Sequence, residues 1–387
     1  MDIAHLKDFF IETYGLQGGE LRIFFAPGRV NLIGEHTDYN GGYVLPFAVN
    51  SGTWLLIRQN DDEMIRLTSL NFKYSLSVPV DESGIKRGNE WVNYPLGVLN
   101  EFRLKGMKFP GLDIMYIGTI PNGAGLSSSA SIEMVTAFAI NSMFGFGIDI
   151  TGLALISQHA ENCFVGMNCG IMDQFVVGLA KKNNALLINC SVPETFMVPF
   201  VLKEYHVIIV NTNKKRELTR SKYNERVSEC RQAVAALSKA RPVKYLSELD
   251  YDEFNEIKHL IKDDNIRNRA LHVISENKRV LDSVKFLKKN DLKNFGLAMI
   301  ASHASLKNLY EVTGFELDTL AEEALKIPGV IGSRMTGAGF GGCTINLVEK
   351  QEAENFVPLL DKNYNKKTGL TADFYFAGPS DGVREIL

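Results

Sequence analysis

Apolar side chains recur along the chain with two periods, and the change from one to the other outlines the architecture. In the first hundred or so residues the period is two, the spacing of a strand with one buried face. Arg22–Ala26 alternates in this way, and Gly52–Arg58 places Trp54, Leu56 and Arg58 on one face. Met64–Ser69, Phe72–Val78 and Gly111–Ile120 add further candidate strands. Between them, Trp91–Leu104 carries Val92, Leu96, Leu99 and Phe102 at helical spacing. Helical spacing then takes over. Ser128–Phe144 puts Ile132, Val135, Ala139 and Met143 on one stripe, and helices at Thr151–Val165 and Ile171–Ala180 follow. Leu186–Asn189 and His206–Asn211 read as strands on either side of Ser191–Leu202, where two prolines interrupt an apolar stretch. The second half opens on an amphipathic helix at Lys222–Lys239, with further helices within Ser247–Asn308. Val330–Thr336 and Cys343–Val348 read as strands around a glycine-rich turn. Gln351–Val357 reads as a short helix stopped by Pro358, and Asp373–Ala377 as a closing strand. There is no internal repeat and no low-complexity tract. The pattern predicts two α+β domains, residues 1–195 and 196–387, with a cleft between them.

Composition narrows the function classes. A chain of 387 residues exceeds what one core usually holds, and 45% apolar residues rule against wholesale disorder. A net charge of -3 argues against a nucleic-acid binder that relies on broad electrostatic attraction. The five cysteines include no C-x-x-C pair, so neither a zinc site nor a disulfide framework is expected. The opening MDIAHLKDFF carries acids and has no apolar signal core, and no apolar run approaches a membrane span. A soluble, cytoplasmic protein is the expectation.

One run concentrates chemistry. Residues 26–46 read APGRVNLIGEHTDYNGGYVLP, with Arg29, Glu35, His36 and Asp38 fenced by Gly28, Gly34, Gly41 and Gly42. So many charges in so few positions are rarely a core strand, because burying an unpaired charge costs several kcal/mol. A charged surface hairpin is the plain alternative. Carboxylates, a cation and an imidazole on one turn also suit a hydroxyl-rich small molecule, since each sugar hydroxyl both donates and accepts. The run resembles the signature of galactokinases, within the GHMP small-molecule kinase superfamily, through Arg29, Asn31, Ile33, Gly34, Glu35, His36, Asp38 and Tyr39.

A second feature is IPNGAGLSSSAS, residues 120–131, which joins a strand to the helix starting near Ser128. Glycines before a helix start, with hydroxyl residues at its first turn, make an anion cradle. Free N–H groups and the positive end of the helix dipole point to one place. Gly123, Ala124, Gly125, Leu126, Ser127, Ser128 and Ser129 are the candidate nucleotide-phosphate contacts. A serine-capped helix after a glycine turn is the structural alternative. The segment is neither a Walker A loop nor part of a protein-kinase motif set. It resembles the second GHMP motif through Pro121, Gly125, Leu126, Ser128, Ser129 and Ala130. That resemblance implies Ser129 as a Mg²⁺ ligand and Glu161 as its partner carboxylate, although Glu161 also reads as a solvated helix position.

The remaining candidates come in the same way. Asp173, in NCGIMDQF, would ordinarily be read as a helix cap. The resemblance implies that it is the catalytic acid–base residue beside the C1 hydroxyl of the sugar, with Arg29 neutralising charge. It implies substrate contacts for Glu35, His36, Thr37, Asp38, Gly170 and Tyr223. It implies nucleotide-base contacts for Trp91 and Tyr94, with Ser69 nearby. TGAGFGGC, residues 336–343, resembles the third GHMP motif and otherwise reads as a tight strand-to-strand turn. The implied activity is phosphoryl transfer from ATP to the C1 hydroxyl of galactose, with Mg²⁺ and by a monomer. An N-acetylgalactosamine kinase and a catalytically silent galactose sensor are the alternatives.

Overall fold

Two-residue periodicity in the first half builds a mixed sheet clothed on both faces. The computed structural model describes residues 3–121, 125–167, 169–214 and 219–386, apart from the side chains of residues 219 and 220. Its strands run β1 (Arg22–Asn31), β2 (Tyr43–Val44), β3 (Pro46–Gln59), β4 (Met64–Ser69), β5 (Leu76–Pro79), β6 (Leu112–Gly118), β7 (Asn184–Asn189) and β8 (Glu194–Pro199) in the first half. The second half holds β9 (Tyr205–Asn211), β10 (Val330–Thr336), β11 (Cys343–Glu349), β12 (Asp373–Ala377) and β13 (Arg384–Glu385). The helices are α1 (Ile3–Tyr14), α2 (Asn93–Leu104), α3 (Ser128–Phe144), α4 (Ile150–His159), α5 (Met172–Leu179), α6 (Thr219–Leu237), α7 (Tyr251–Ile257), α8 (Asp264–Lys288), α9 (Leu292–Ser305), α10 (Phe315–Ala324) and α11 (Ala353–Thr368). None of the described helices is long and apolar enough to cross a membrane.

The large sheet has the order β13-β1-β3-β6-β4-β5, with β4 parallel to β6 and its other pairings antiparallel. Alternation sends Leu55 and Ile57 of β3 to one face, against Leu96, Val135, Leu153 and Val176 of α2–α5. Leu56 points the other way, to Ile23, Met115 and the Leu6 and Phe10 stripe of α1. In the second half β10-β11-β9-β12 form an antiparallel sheet. Ile208 and Val210 face Leu320, Phe356 and Leu360 of α10 and α11. Val207 and Ile209 face α8 and α9, in a cluster that also takes Val30, Ile33 and Phe47 from the first half. The two halves therefore share a core, and the end of β1 is gripped from both sides.

Helix starts are written in aspartates. Asp149, Asp250, Asp263 and Asp291 each accept a backbone N–H at the first turn of α4, α7, α8 and α9. Each such cap is worth about 1 kcal/mol.

Several expectations need correction. Pro358 does not stop a helix: α11 runs through it, because burial of Phe356, Leu360 and Tyr364 outweighs one missing N–H donor. The expected Thr151–Val165 helix changes at Ala160 into a π-type turn, Ala160–Val165. The Phe72–Val78 strand begins only at Leu76. The stretch read as a junction, residues 191–202, contains β8 paired with β7. Near the end of the chain β13 returns to pair with β1, so the last residues rejoin the first sheet. Helices α1 and α10 were not expected; α10 follows Gly314 at φ 80° and has no side-chain cap to announce it.

Because Pro358 is exposed within α11, Pro358→Ala should stabilise the chain by about 1–3 kcal/mol in chemical denaturation. A loss of stability would show that the proline helps to shape this helix.

Candidate active site

The charged run near residue 30 is largely buried and is not the surface hairpin of the plain alternative; Arg29 and Glu35 are buried as ion pairs, with Asp173 and Arg334. Arg29 lies near the end of β1, just after a register shift between Pro27 and Arg29. Gly28 makes that shift possible: a Cβ there would sit 2.6 Å from the Leu126 carbonyl oxygen. The same carbonyl accepts the Arg29 N–H at 3.1 Å, tying the strand to the loop before α3.

The Arg29 guanidinium meets Asp173, at the second position of α5, through two parallel hydrogen bonds. Nε reaches Oδ1 at 2.8 Å and Nη2 reaches Oδ2 at 2.9 Å. Nη1 donates to the Gly125 carbonyl at 2.7 Å. Ser127 stands before α3 at φ 60°, and its hydroxyl donates to Asp173 Oδ2 at 2.5 Å instead of capping the helix. A carboxylate offers about four lone-pair sites. Among the described residues both on Oδ2 and one on Oδ1 are taken, which leaves one Oδ1 position for a ligand.

That free position borders a cavity of about 410 Å³. Arg29, Asn31, Gly34, Glu35, His36, Asp38, Gly170, Asp173 and Tyr223 line it, joined by Gly337 and Ala338 from the turn after β10. Its size and mixed lining suit a small polar molecule. His36 sits at φ 63°, with its ring between those of Tyr223 and Tyr310. Its Nδ1 shares a hydrogen bond with the Tyr39 hydroxyl at 2.8 Å, and that hydroxyl with Tyr310 at 2.8 Å. Burial pushes the imidazole down to about 3, so it is neutral. Gly170 is required by proximity, since a Cβ there would lie 2.9 Å from Asp38 Oδ2. Burial, reinforced by the nearby charge of Asp173, raises the Asp38 carboxyl to about 6.

Not every candidate faces this space. Thr37 is fully buried, and its hydroxyl lies 2.8 Å from the Gly34 and Tyr43 carbonyls, where it closes the turn. The Leu126 side chain belongs to the core shared by the two halves. Gly123 and Ala124 lie outside the described residues.

A second cavity, of about 120 Å³, opens on the other side of the α3 tip. Ser69, Trp91, Tyr94, Ser128 and Ser129 line it together. Phe72 and Trp91 stack with ring centroids 6.3 Å apart and planes 19° apart, which offers a flat apolar face. Ser129 lies close to the Glu161 carboxyl, which is 6% exposed and accepts from the Cys169 thiol at 3.2 Å. Burial raises the Glu161 carboxyl and Asp173 adds to the effect. Glu133, fully buried one turn after Ser129, shares the Gln174 amide with it: Nε2 donates to Glu161 Oε2 at 2.8 Å and to Glu133 Oε2 at 3.3 Å. Burial and the Glu161 charge hold Glu133 well above the carboxylate range. These are hard oxygen donors, the donor type that Mg²⁺ prefers.

Sequence reading missed Glu133 and Arg334. The signal for Glu133 was its spacing of four from Ser129 on an apolar helix. The signal for Arg334 was a lone cation in a buried strand, two residues before the glycine turn.

Asp38 gives the site a pH signature. Its folded value near 6 lies above the ordinary 3.8, so the native state binds this proton more tightly than the unfolded chain. The resulting stability is complete below about 4 and is lost as pH rises through 6. Asp38→Asn should therefore raise the melting temperature at about pH 8, with the gain shrinking toward about pH 4.5. An equal gain at both pH values would contradict this.

Comparison with known proteins agrees with this geometry. Residues 8–59 match the galactokinase galactose-binding signature, residues 93–181 the GHMP kinase N-terminal domain and residues 283–366 the GHMP kinase C-terminal domain. A galactokinase of Clostridium tetani is 48% identical over 100% of this chain and 98% of its own length. One from Enterococcus faecalis is 46% identical over 99% of both. The crystal structure of Lactococcus lactis galactokinase complexed with galactose superposes with a TM-score of 0.95 at 40% identity, covering 99% of this chain and 100% of that one. Methanococcus jannaschii mevalonate kinase, at 20% identity and a TM-score of 0.70, shares the fold. A signature match that spans the buried charged run, with full-length relatives of nearly half identity, places the chain in the galactokinase family of GHMP kinases.

Proposed function

We infer that the chain transfers the γ-phosphoryl group of ATP to the C1 hydroxyl of galactose, giving galactose 1-phosphate and ADP. The observation that carries this is the position of Asp173, on the wall between the larger cavity and the tip of α3. The larger cavity takes the hexose, and the aromatic cavity takes the adenine. The triphosphate then crosses the helix tip between them, where free N–H groups favour anions. Residues 1–195 supply the sugar signature, the phosphate cradle and Asp173, and residues 196–387 close the cleft with Tyr223 and the Gly337–Ala338 turn.

The chain's own residues have separable tasks. Glu35, His36, Asp38 and Tyr223 orient the sugar so that its C1 hydroxyl meets Asp173 Oδ1. Asp173 accepts the proton of that hydroxyl as the oxygen bonds to the γ-phosphorus and the bond to ADP breaks. Arg29 cannot take a proton and holds the carboxylate in a fixed plane. Ser129 and Glu161 would hold Mg²⁺, which when bound supplies neutralisation of phosphate charge. Trp91 and Tyr94, with Ser69 at the pocket edge, contact the base. An enzyme that draws on ATP in this way belongs in the cytoplasm, and the site is complete within one chain, consistent with a monomer.

A coupled ADP-release assay tests the reading: release should depend on galactose, and release that is absent or indifferent to galactose would overturn it. Asp173→Asn should retain sugar binding by calorimetry while turnover falls about 10³-fold. Near-normal turnover in that variant would remove Asp173 from the chemistry.

A further inference from the structure

We propose that Arg334, which lies outside the cavity lining, is the positioning residue of the sugar pocket: it fixes the Glu35 carboxylate and the end of β1 in the arrangement that galactose meets. The proposal deepens the galactose-kinase reading and rests on it.

Arg334 is the largest fully buried side chain among the described residues, at 0% exposure on β10. A guanidinium is costly to bury, so its partners define what it is there to do. Nη2 is hydrogen-bonded to Glu35 Oε2. Nη1 lies 3.1 Å from the Leu32 carbonyl oxygen and 3.4 Å from that of Asn31. Those two carbonyls belong to the stretch that carries Arg29 into the site. Arg334 thus joins the sugar-facing turn and the strand that holds Asp173 through one planar group.

The neighbours of Arg334 complete the arrangement. Thr336, two residues on and on the same face of β10, has its hydroxyl 3.0 Å from the Asn31 carbonyl and 3.2 Å from Glu35 Oε1. The Gly337 N–H donates to the same Oε1 at 3.1 Å. On the other side, the Gly34 N–H donates to Glu276 at 3.0 Å, and His272 Nε2 lies 3.2 Å from the Glu35 carbonyl oxygen. Among the described residues Glu35 has Arg334 on Oε2 and the Gly337 N–H on Oε1, while the Thr336 hydroxyl divides its one proton between Oε1 and the Asn31 carbonyl. Oε2 is thus aimed by Arg334. With this cation gone or misshapen, Glu35 would lose the partner that opposes the effect of burial on its carboxyl, and with it the direction of Oε2.

Lysine is the discriminating substitution. It keeps the charge, yet a single ammonium cannot span Glu35 and the Leu32 carbonyl with the geometry of a guanidinium fork. In the full chain, Arg334→Lys should raise KM for galactose about tenfold, while KM for ATP and kcat at saturating sugar stay within about threefold. A simple loss of fold would instead lower the amount of active protein and leave both KM values in place. Thr336→Val keeps the shape of the site and removes one donor to Glu35; it should move galactose KM in the same direction by a smaller factor, and it carries the test if the lysine variant does not fold. An unchanged galactose KM in whichever of the two is folded, or equal changes in the galactose and ATP values, would overturn the proposal while leaving the kinase reading intact. Wild-type protein inactive on galactose would overturn both.

Discussion

The two-pronged hydrogen bond between Arg29 and Asp173 is the constraint from which the rest of the site follows. Its residues are 144 positions apart in the chain, on a strand and at a helix start. Holding both prongs below 3 Å fixes the angle between β1 and α5. It also fixes the loop before α3, because Arg29 binds the Gly125 carbonyl and Asp173 binds Ser127. Strand, helix and phosphate loop are therefore set by one cation. A hydroxyl that docks on Asp173 Oδ1 is thereby placed next to the tip of α3.

Such a site works against stability. Buried ion pairs recover at best part of the desolvation they suffer, and a well-packed apolar replacement is often as stable. The chain holds Arg29, Glu35, Glu133, Glu161, Glu276 and Arg334 almost or fully out of solvent. Glu276 survives as an anion because Arg279, His272 and Arg334 outweigh the effect of burial and bring it to about 2. Among the described residues no such cation flanks Glu133 or Glu161, and burial pushes both the other way. The contrast separates two kinds of buried acid: one that braces the turn after β1 and a pair that burial holds toward the neutral form. Ordinary cores on both faces of each sheet supply the stability that permits this.

Much of the fold was legible because its signals are local. Met64–Ser69, Ser128–Phe144, Val330–Thr336 and Asp373–Ala377 have the limits that their periodicity predicts. Local rules failed where distant packing decided. Pro358 is carried through α11 by a buried stripe, and β13 exists only because β1 has a free edge for it. The ion pairs that permit burial of the charged run were not legible for the same reason: the partners of Arg29 and Glu35 lie far along the chain, at Asp173 and Arg334. The candidate residues themselves were legible through resemblance, and the structure brings Arg29, Glu35, His36, Asp38, Gly170, Asp173 and Tyr223 around one cavity. Thr37 was not separable from them by sequence, since its hydroxyl turns inward by a rotation that the letters do not encode.

Phosphoryl transfer depends on where the reacting hydroxyl sits. A crystal structure of the chain with galactose and a non-hydrolysable ATP analogue measures this directly. The C1 oxygen should lie about 2.6–3.2 Å from Asp173 Oδ1, in line with the γ-phosphorus, with both Arg29–Asp173 hydrogen bonds intact. A sugar whose C1 oxygen points away from Asp173, or an Arg29 side chain that leaves Asp173 when the ligands bind, would contradict it.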